Sequence, residues 1–429
     1  MARVGAAIGL GAAAAAAAGA AAAGVAADRA AAGRRRLSVL DPDDGFAHVA
    51  DVELKVIATD GLNLHVEIDT PADLDPALPT IVMSHGFCLS LRGWVLQRRA
   101  FVQAGYRVVL WDQRSHGRSE MSELASSTIE QLAHDLRAVI DAACPEGPLV
   151  LVGHSMGGMT TMALARHHAE LVRERVMAVA FISTAAGGEG LTDLGMGPLV
   201  GRAIGQAGPR VLSRLAPHQR WLAPVRRFGR NIEDSVVERF SFDSPVGEST
   251  VSFAADLILA TPFEVMAAFL PAIRMHDEFE SLAALVDKEV LVVNGAGDLL
   301  TPPARSEEIV ERLPGAEHVV VQDSGHLIML EHPEVVTGQV LALIHRAETD
   351  AAAGVGASSK PRVRRTVIDI AKGRLIRRAQ ARTKAGSKAG SKAKAQAKTQ
   401  VQARGGSTTT PGPATRAKSR TKGKSGASS

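Results

Sequence analysis

At 429 residues with 46% hydrophobic side chains, the chain is long enough for one large α/β domain or two average ones, and wholesale disorder is excluded. Two cysteines exclude a disulfide-stapled scaffold and a multi-thiolate zinc ribbon. The formal charge of +4 divides into +4 over residues 1–36, −19 over 37–350 and +19 over 351–429, so the high pI describes a tail and says nothing of the centre.

The first zone, residues 1–36, is an Ala/Gly-rich head. Val4 to Ala27 is uncharged over 24 residues, about 36 Å if helical and so long enough to span a bilayer. Its larger apolar residues are Val4, Ile8, Leu10 and Val25, and the arginines cluster after it at Arg29, Arg34, Arg35 and Arg36. A membrane anchor, a cleaved signal and a leader that never inserts all fit this composition. If the run anchors the chain, the positive-inside bias keeps the following domain cytoplasmic, with the protein membrane-associated through its N-terminal segment.

Residues 37–350 form the globular zone. Val52–Ala58 and Leu62–Asp69 alternate apolar and polar residues around Thr59-Asp60-Gly61, which predicts a hairpin. Apolar runs follow at Thr80–Met83, Arg107–Trp111, Leu149–Val152, Met177–Ile182, Val290–Val293 and His318–Val321. Amphipathic segments lie near 94–104, 128–143, 157–168, 303–313 and 333–347. Short apolar runs separated by helices of this length predict βαβ units and a mostly parallel, buried sheet with helices on both faces. Residues 187–288 break the rhythm: the stretch is helical in pattern, rich in Arg and Pro, and reads as a helical cap insertion. The pattern closes near Arg346.

Chemistry is concentrated at the ends of these strands. Leu149–Val152 runs into Gly153-His154-Ser155-Met156-Gly157-Gly158 and then into a helix, which is G-x-S-x-G between a strand and a helix. Such a turn lifts the Ser155 hydroxyl clear of the sheet at a helix N-terminus. A phosphate-binding Gly-rich loop would need Gly-Lys-Ser/Thr, and no Lys is present. A serine nucleophile needs a general base and an orienting carboxylate. His326, in Asp323-Ser324-Gly325-His326 after the last apolar run, is the base candidate. Asp298, in Asn294-Gly295-Ala296-Gly297-Asp298, is the acid candidate. An oxyanion would find the backbone N–H of Met156, and that of Phe87 in Ser84-His85-Gly86-Phe87. His85 reads as a loop brace, with a second base as the alternative.

In these motifs, over residues from about 51 to 347, the chain resembles the α/β-hydrolase superfamily, in its alpha/beta hydrolase-1 type with a helical cap. His85-Gly86-Phe87 resembles the oxyanion loop of that family. Asp112-Gln113-Arg114-Ser115-His116-Gly117-Arg118-Ser119 is similar to its D-x-R-G-x-G-x-S loop, with Ser115 where Gly is usual, a departure that puts the loop's conformation in question. Gly153–Gly158 resembles the nucleophile elbow, and Gly297-Asp298 and Gly325-His326 its acid and base loops. The resemblance implies an α/β-hydrolase fold and a serine hydrolase that cleaves carboxylic esters, lipid-derived ones included, through an acyl-enzyme, without metal or cofactor. Epoxide hydrolases and haloalkane dehalogenases of this fold place Asp in the elbow, whereas Ser155 argues for acyl chemistry. Cofactor-free perhydrolases and acyltransferases share the triad and remain alternatives. So does a polyanion-binding protein with an idle hydrolase domain.

Other features have plainer readings. His167-His168 lies on a helix with no third ligand nearby in the sequence and reads as a solvated face. Cys88 and Cys144 read as ordinary free thiols. In the cap, Leu257, Ile258, Leu259, Phe263, Val265, Met266, Phe269 and Leu270 either pack the cap onto the domain or line a greasy acyl pocket. Arg226, Arg227 and Arg230 read as a solvated cationic face, with an anionic head group as the alternative.

The tail, residues 351–429, carries 20 Lys/Arg and one acid, with Lys384, Lys388 and Lys392 in a four-residue repeat. From about 380 it cannot bury enough apolar surface to fold, while Val363–Arg378 has the pattern of a short basic amphipathic helix. Anionic membrane surfaces are the expected partner ahead of nucleic acid, and a merely solubilising tail is the plainer alternative. The oligomeric state leaves no mark in the sequence.

Overall fold

The computed structural model describes residues 45–188, 207–214, 236–354 and 364–370. The head, the Arg226–Arg230 cluster and the tail beyond Ile370 lie outside the described residues.

A nine-stranded sheet runs in the order β1-β2-β4-β3-β5-β6-β7-β8-β9. β1 (Val52–Ile57) and β2 (Asn63–Asp69) form the expected antiparallel hairpin, and β2 is also antiparallel to β4 (Val108–Trp111). All other neighbours are parallel: β3 (Thr80–Ser84), β5 (Leu149–His154), β6 (Val176–Ile182), β7 (Glu289–Gly295), β8 (Glu317–Val321) and β9 (Arg364–Ile368). The parallel strands read as unbroken apolar runs because both their faces are covered. On β3, Ile81 and Met83 join one core cluster with α1 (Val95–Gln103) and α9 (Pro333–Ala353). Val82, pointing the other way, joins the second with α2 (Ile129–Ala143) and α3 (Met156–His167). The β6 residues divide alike: Ala178, Ala180 and Ile182 on one side, Val179 and Phe181 on the other. Trp94, Phe101, Phe181 and Phe269 are fully buried among these aliphatic layers.

Between β6 and β7 the described part of 187–288 contains no strand. Its main helices are α5 (Glu248–Ala260) and α6 (Phe263–Arg274); α4 (Ala169–Arg175), α7 (Pro303–Val310) and α8 (Ile328–Glu331) complete the main domain. Leu257, Val265 and Phe269 of the cap are buried in the two clusters, so this apolar stretch does pack onto the domain. Among the described residues no single helix is long and apolar enough to cross a membrane, and α5 and α6 are bent by 89° at their junction.

One expectation is overturned. The fold does not close near Arg346, and within 363–378 residues 364–368 form a strand instead of a helix. Arg364–Ile368 adds β9 in parallel register to β8, with Glu317 opposite Arg364 and Val321 opposite Ile368. Ile368 and Ile370 pack against the core cluster, Arg365 pairs with Glu307 at 3.0 Å, and the compact unit runs to Ile370. The pattern Thr-Val-Ile suits a strand because β-branched residues favour the pleat.

Candidate active site

The elbow is built by steric exclusion. Ser155, between β5 and α3, has φ 51° and ψ −118°, a conformation costing about 1–3 kcal/mol that the surrounding fold must impose. Its N–H is held by the Ile182 carbonyl, and its own carbonyl accepts from Thr184 Oγ1 at 2.7 Å. A Cβ on Gly157 would run into the Ser84 carbonyl of the oxyanion loop, and one on Gly153 into the Gly157 backbone. Met156 is the first residue of α3, so its N–H is among those with no acceptor within the helix.

The acid and base candidates meet. His326 Nδ1 lies 2.9 and 3.1 Å from the two carboxylate oxygens of Asp298, which as acceptors fix the proton on Nδ1. Nε2 is thereby the nitrogen left to act as base. Asp298 also accepts from the backbone N–H groups of Leu300 and Thr301 and from Thr301 Oγ1 at 2.8 Å. Burial alone would raise its carboxyl, but His326 and the Thr301 donors outweigh burial and hold it below the usual carboxylate range. The charge therefore persists where it can stabilise an imidazolium.

His326 and Ser155 are linked through His154. The His154 and His326 rings lie 4.8 Å apart, and His154 Nε2–H donates to the His326 carbonyl at 3.0 Å. Burial pushes His154 down to about 3, so it stays neutral and serves as a positioning group rather than a second base. His85 braces its loop. Its Nδ1–H donates to the Gly86 carbonyl and its Nε2 accepts from the Gln113 N–H at 2.9 Å, and burial holds it down to about 3. The Phe87 ring packs against His116 and against Phe269 of α6, so an apolar wall adjoins the oxyanion loop beneath the cap.

Two further residues have roles that local sequence does not announce. Thr301 Oγ1 bridges Asp298 and His326, lying 3.2 Å from His326 Nδ1. Glu331, in α8, accepts from Gly325 N–H at 2.7 Å and Ser324 Oγ with one oxygen. With the other it accepts from Asp243 N–H and from the N–H and hydroxyl of Ser244. It clamps the base loop to the start of the cap's return.

Ser115 takes the glycine conformation at φ 65°, held by hydrogen bonds between its Oγ and the N–H and hydroxyl of Ser122. The neighbouring Asp112 accepts from Leu91 and Arg118 N–H groups, so the loop keeps its shape despite the departure from Gly. Cys88 and Cys144 are free and buried, and burial pushes both thiols up, which removes them as nucleophiles at neutral pH. A cavity of about 220 Å³ lies away from the candidate triad, lined by Glu67, Arg98, Asp112 and Arg118 among others. Glu53, His65 and Glu67 come close enough to hold an ion, but Arg98 and Arg118 occupy those carboxylates at 2.6 to 2.7 Å.

Residues 79–333 match the family model described as the alpha/beta hydrolase fold. The chain belongs to that family. A non-heme chloroperoxidase of Streptomyces lividans is 26% identical over 290 residues, 67% of this chain and 98% of that protein. An epoxide hydrolase B of Mycobacterium tuberculosis is 33% identical over 141 residues, 33% of this chain and only 38% of the relative's length. Among solved structures, an esterase of Thermogutta terrifontis matches with TM-score 0.55 and 25% identity, covering 69% of this chain and 99% of the esterase. An enol-lactonase of Burkholderia xenovorans matches with TM-score 0.53 and 26% identity, covering 68% and 100%.

Proposed function

We propose that this hydrolase cleaves carboxylic esters through an acyl-enzyme on Ser155. The observation that carries the reading is the hydrogen-bonded Asp298–His326 pair, its imidazole packed on His154 next in sequence to a serine held in the strained elbow. In this reading Ser155 Oγ attacks the ester carbonyl carbon as His326 Nε2 takes its proton. The tetrahedral oxyanion accepts from the N–H groups of Phe87 and Met156. The C–O bond to the alcohol then breaks, and His326 returns the proton to the leaving alkoxide. Water repeats the sequence on the acyl-enzyme, releasing the acid and free Ser155. Asp298 holds the imidazole in its Nδ1–H tautomer and stabilises the positive charge that forms on it.

The apolar wall of Phe87 and Phe269 supports an apolar acyl group, so lipid-like esters are the substrate class of this proposal. A fluorophosphonate probe tests the chemistry: wild type should be labelled and Ser155→Ala should not. A panel of p-nitrophenyl esters of rising chain length tests the acyl preference. A second reading, in which peroxide replaces water to give a peracid, is supported by the near full-length likeness to a chloroperoxidase. A halide-oxidation assay with acetate and peroxide separates the two. Membrane association through the head and the basic tail is part of the proposal, and it rests on their composition alone.

A further inference from the structure

At the far end of α3 from the elbow, three imidazoles and a carboxylate from two helices converge. Glu130 and His134 stand one turn apart on α2, and His167 and His168 follow each other at the end of α3. Glu130, His134 and His167 each offer a ligand atom within 4.8 Å of the other two. His134 Nδ1 lies 3.0 Å from His168 Nε2, and the His134 ring centroid is 5.3 Å from that of His167 and 5.1 Å from that of His168. Glu130 Oε1 lies 3.9 Å from His167 Nε2.

We propose that Glu130, His134 and His167 form a binding site for one divalent ion of borderline softness, Zn²⁺ being the type, with His168 orienting His134. The donor set of two imidazoles and a carboxylate suits such an ion, and three protein ligands leave a position for water. Bonds of 2.0–2.1 Å to a tetrahedral ion place ligand atoms roughly 3.3 Å apart. The three donors must therefore close by up to about 1.5 Å from their present separations of as much as 4.8 Å. Glu130 is free to swing, since its side chain is 59% exposed. A His134 ring that donates Nδ1–H to His168 keeps its other lone pair for the ion, the arrangement by which a second residue orients a metal-bound histidine.

Arg166 Nε donates to His167 Nε2 at 3.2 Å and must yield that nitrogen; its guanidinium has a second partner in Glu278 at 2.9 Å. Arg137 is already turned to Asp141. The site lies about 18 Å along α3 from Ser155, so the ion would tie α2 to α3 without touching the reaction.

The test uses tag-free, full-length protein stripped with chelator, which carries no histidine in residues 1–36 or 351–429. Isothermal titration with Zn²⁺ and with Co²⁺ should show one equivalent bound at micromolar or lower Kd, with tetrahedral Co²⁺ absorption and a rise in melting temperature. The double variant His134→Gln/His167→Gln should lose at least 100-fold in affinity and the thermal shift, while its metal-free melting and ester turnover match wild type. His168→Ala should weaken binding about tenfold. Absence of a stoichiometric site in wild type, or equal affinity in the double variant, overturns the proposal.

Discussion

Replacing Glu331 by Gln is the sharpest probe of how the base loop is held. One carboxylate serves five donors, all of them on two segments that the chain brings together from far apart. An amide keeps only one accepting oxygen. If that oxygen stays with Asp243 and Ser244, the new NH₂ faces the Gly325 N–H, and a buried donor loses its partner at a cost of about 1–3 kcal/mol. The three remaining bonds lose their charge assistance, which adds roughly 1–2 kcal/mol. The expected total is about 2–4 kcal/mol, read as a lower urea midpoint with unchanged slope. Because Gly325 precedes His326, loosening this loop also displaces the base, and a shift of 1 Å is worth about 100-fold. At a temperature where the variant is folded, kcat on a p-nitrophenyl ester should fall about 10- to 100-fold. Glu334→Gln, exposed on the first turn of α9, should change neither quantity. Wild-type stability and kcat in Glu331→Gln would refute the clamp.

Burial holds His85 and His154 down to about 3 and His116 and His276 down to about 4, whereas the unfolded chain protonates each near 6.5. The unfolded state therefore binds more protons, and stability should fall as pH drops from about 6.5 to 4, by about 1.4 kcal/mol per pH unit for each histidine. Asp112, raised by burial to about 6, offsets one of the four; urea midpoints that stay level between pH 7 and 5 would contradict this. A chain ending at Ile370 should keep turnover of a small soluble ester within about twofold. It should also lose salt-sensitive binding to anionic vesicles, since 16 Lys/Arg go with residues 371–429. A chain ending at Asp350 loses β9 as well and should melt lower; vesicle binding that survives the shorter cut would place the contact elsewhere. Deleting residues 1–36 should move activity from the membrane fraction to the soluble fraction, and full-length protein found soluble with an intact N-terminus would reject the anchor.

The parallel sheet was legible because burial on both faces leaves unbroken apolar runs, and each βα connection separates them. Ser155, Asp298 and His326 stood out because each follows such a run in a Gly-bearing loop. Glu331 could not be found that way: nothing in Ile328–Glu331 marks it, and its partners at 243–244 lie more than 80 residues away. Thr301 is hidden for the same reason, because its bridge to His326 spans 25 residues. β9 was misread since a five-residue strand flanked by basic residues has too few positions to separate a period of 2 from 3.6. The third ligand for His167 was invisible for a similar reason. It comes from a neighbouring helix, and helix adjacency is a property of packing, not of local pattern.

The rate at which a fluorophosphonate phosphonylates Ser155, followed by intact-protein mass, tests the central claim most directly. Wild type should gain one adduct, mapped to the peptide containing Ser155, and Ser155→Ala none. Asp298→Asn should react about 10³- to 10⁴-fold more slowly, because an amide no longer fixes the imidazole tautomer. Labelling that persists in Ser155→Ala, or an Asp298→Asn rate equal to wild type, would contradict the assignment of nucleophile, base and orienting acid.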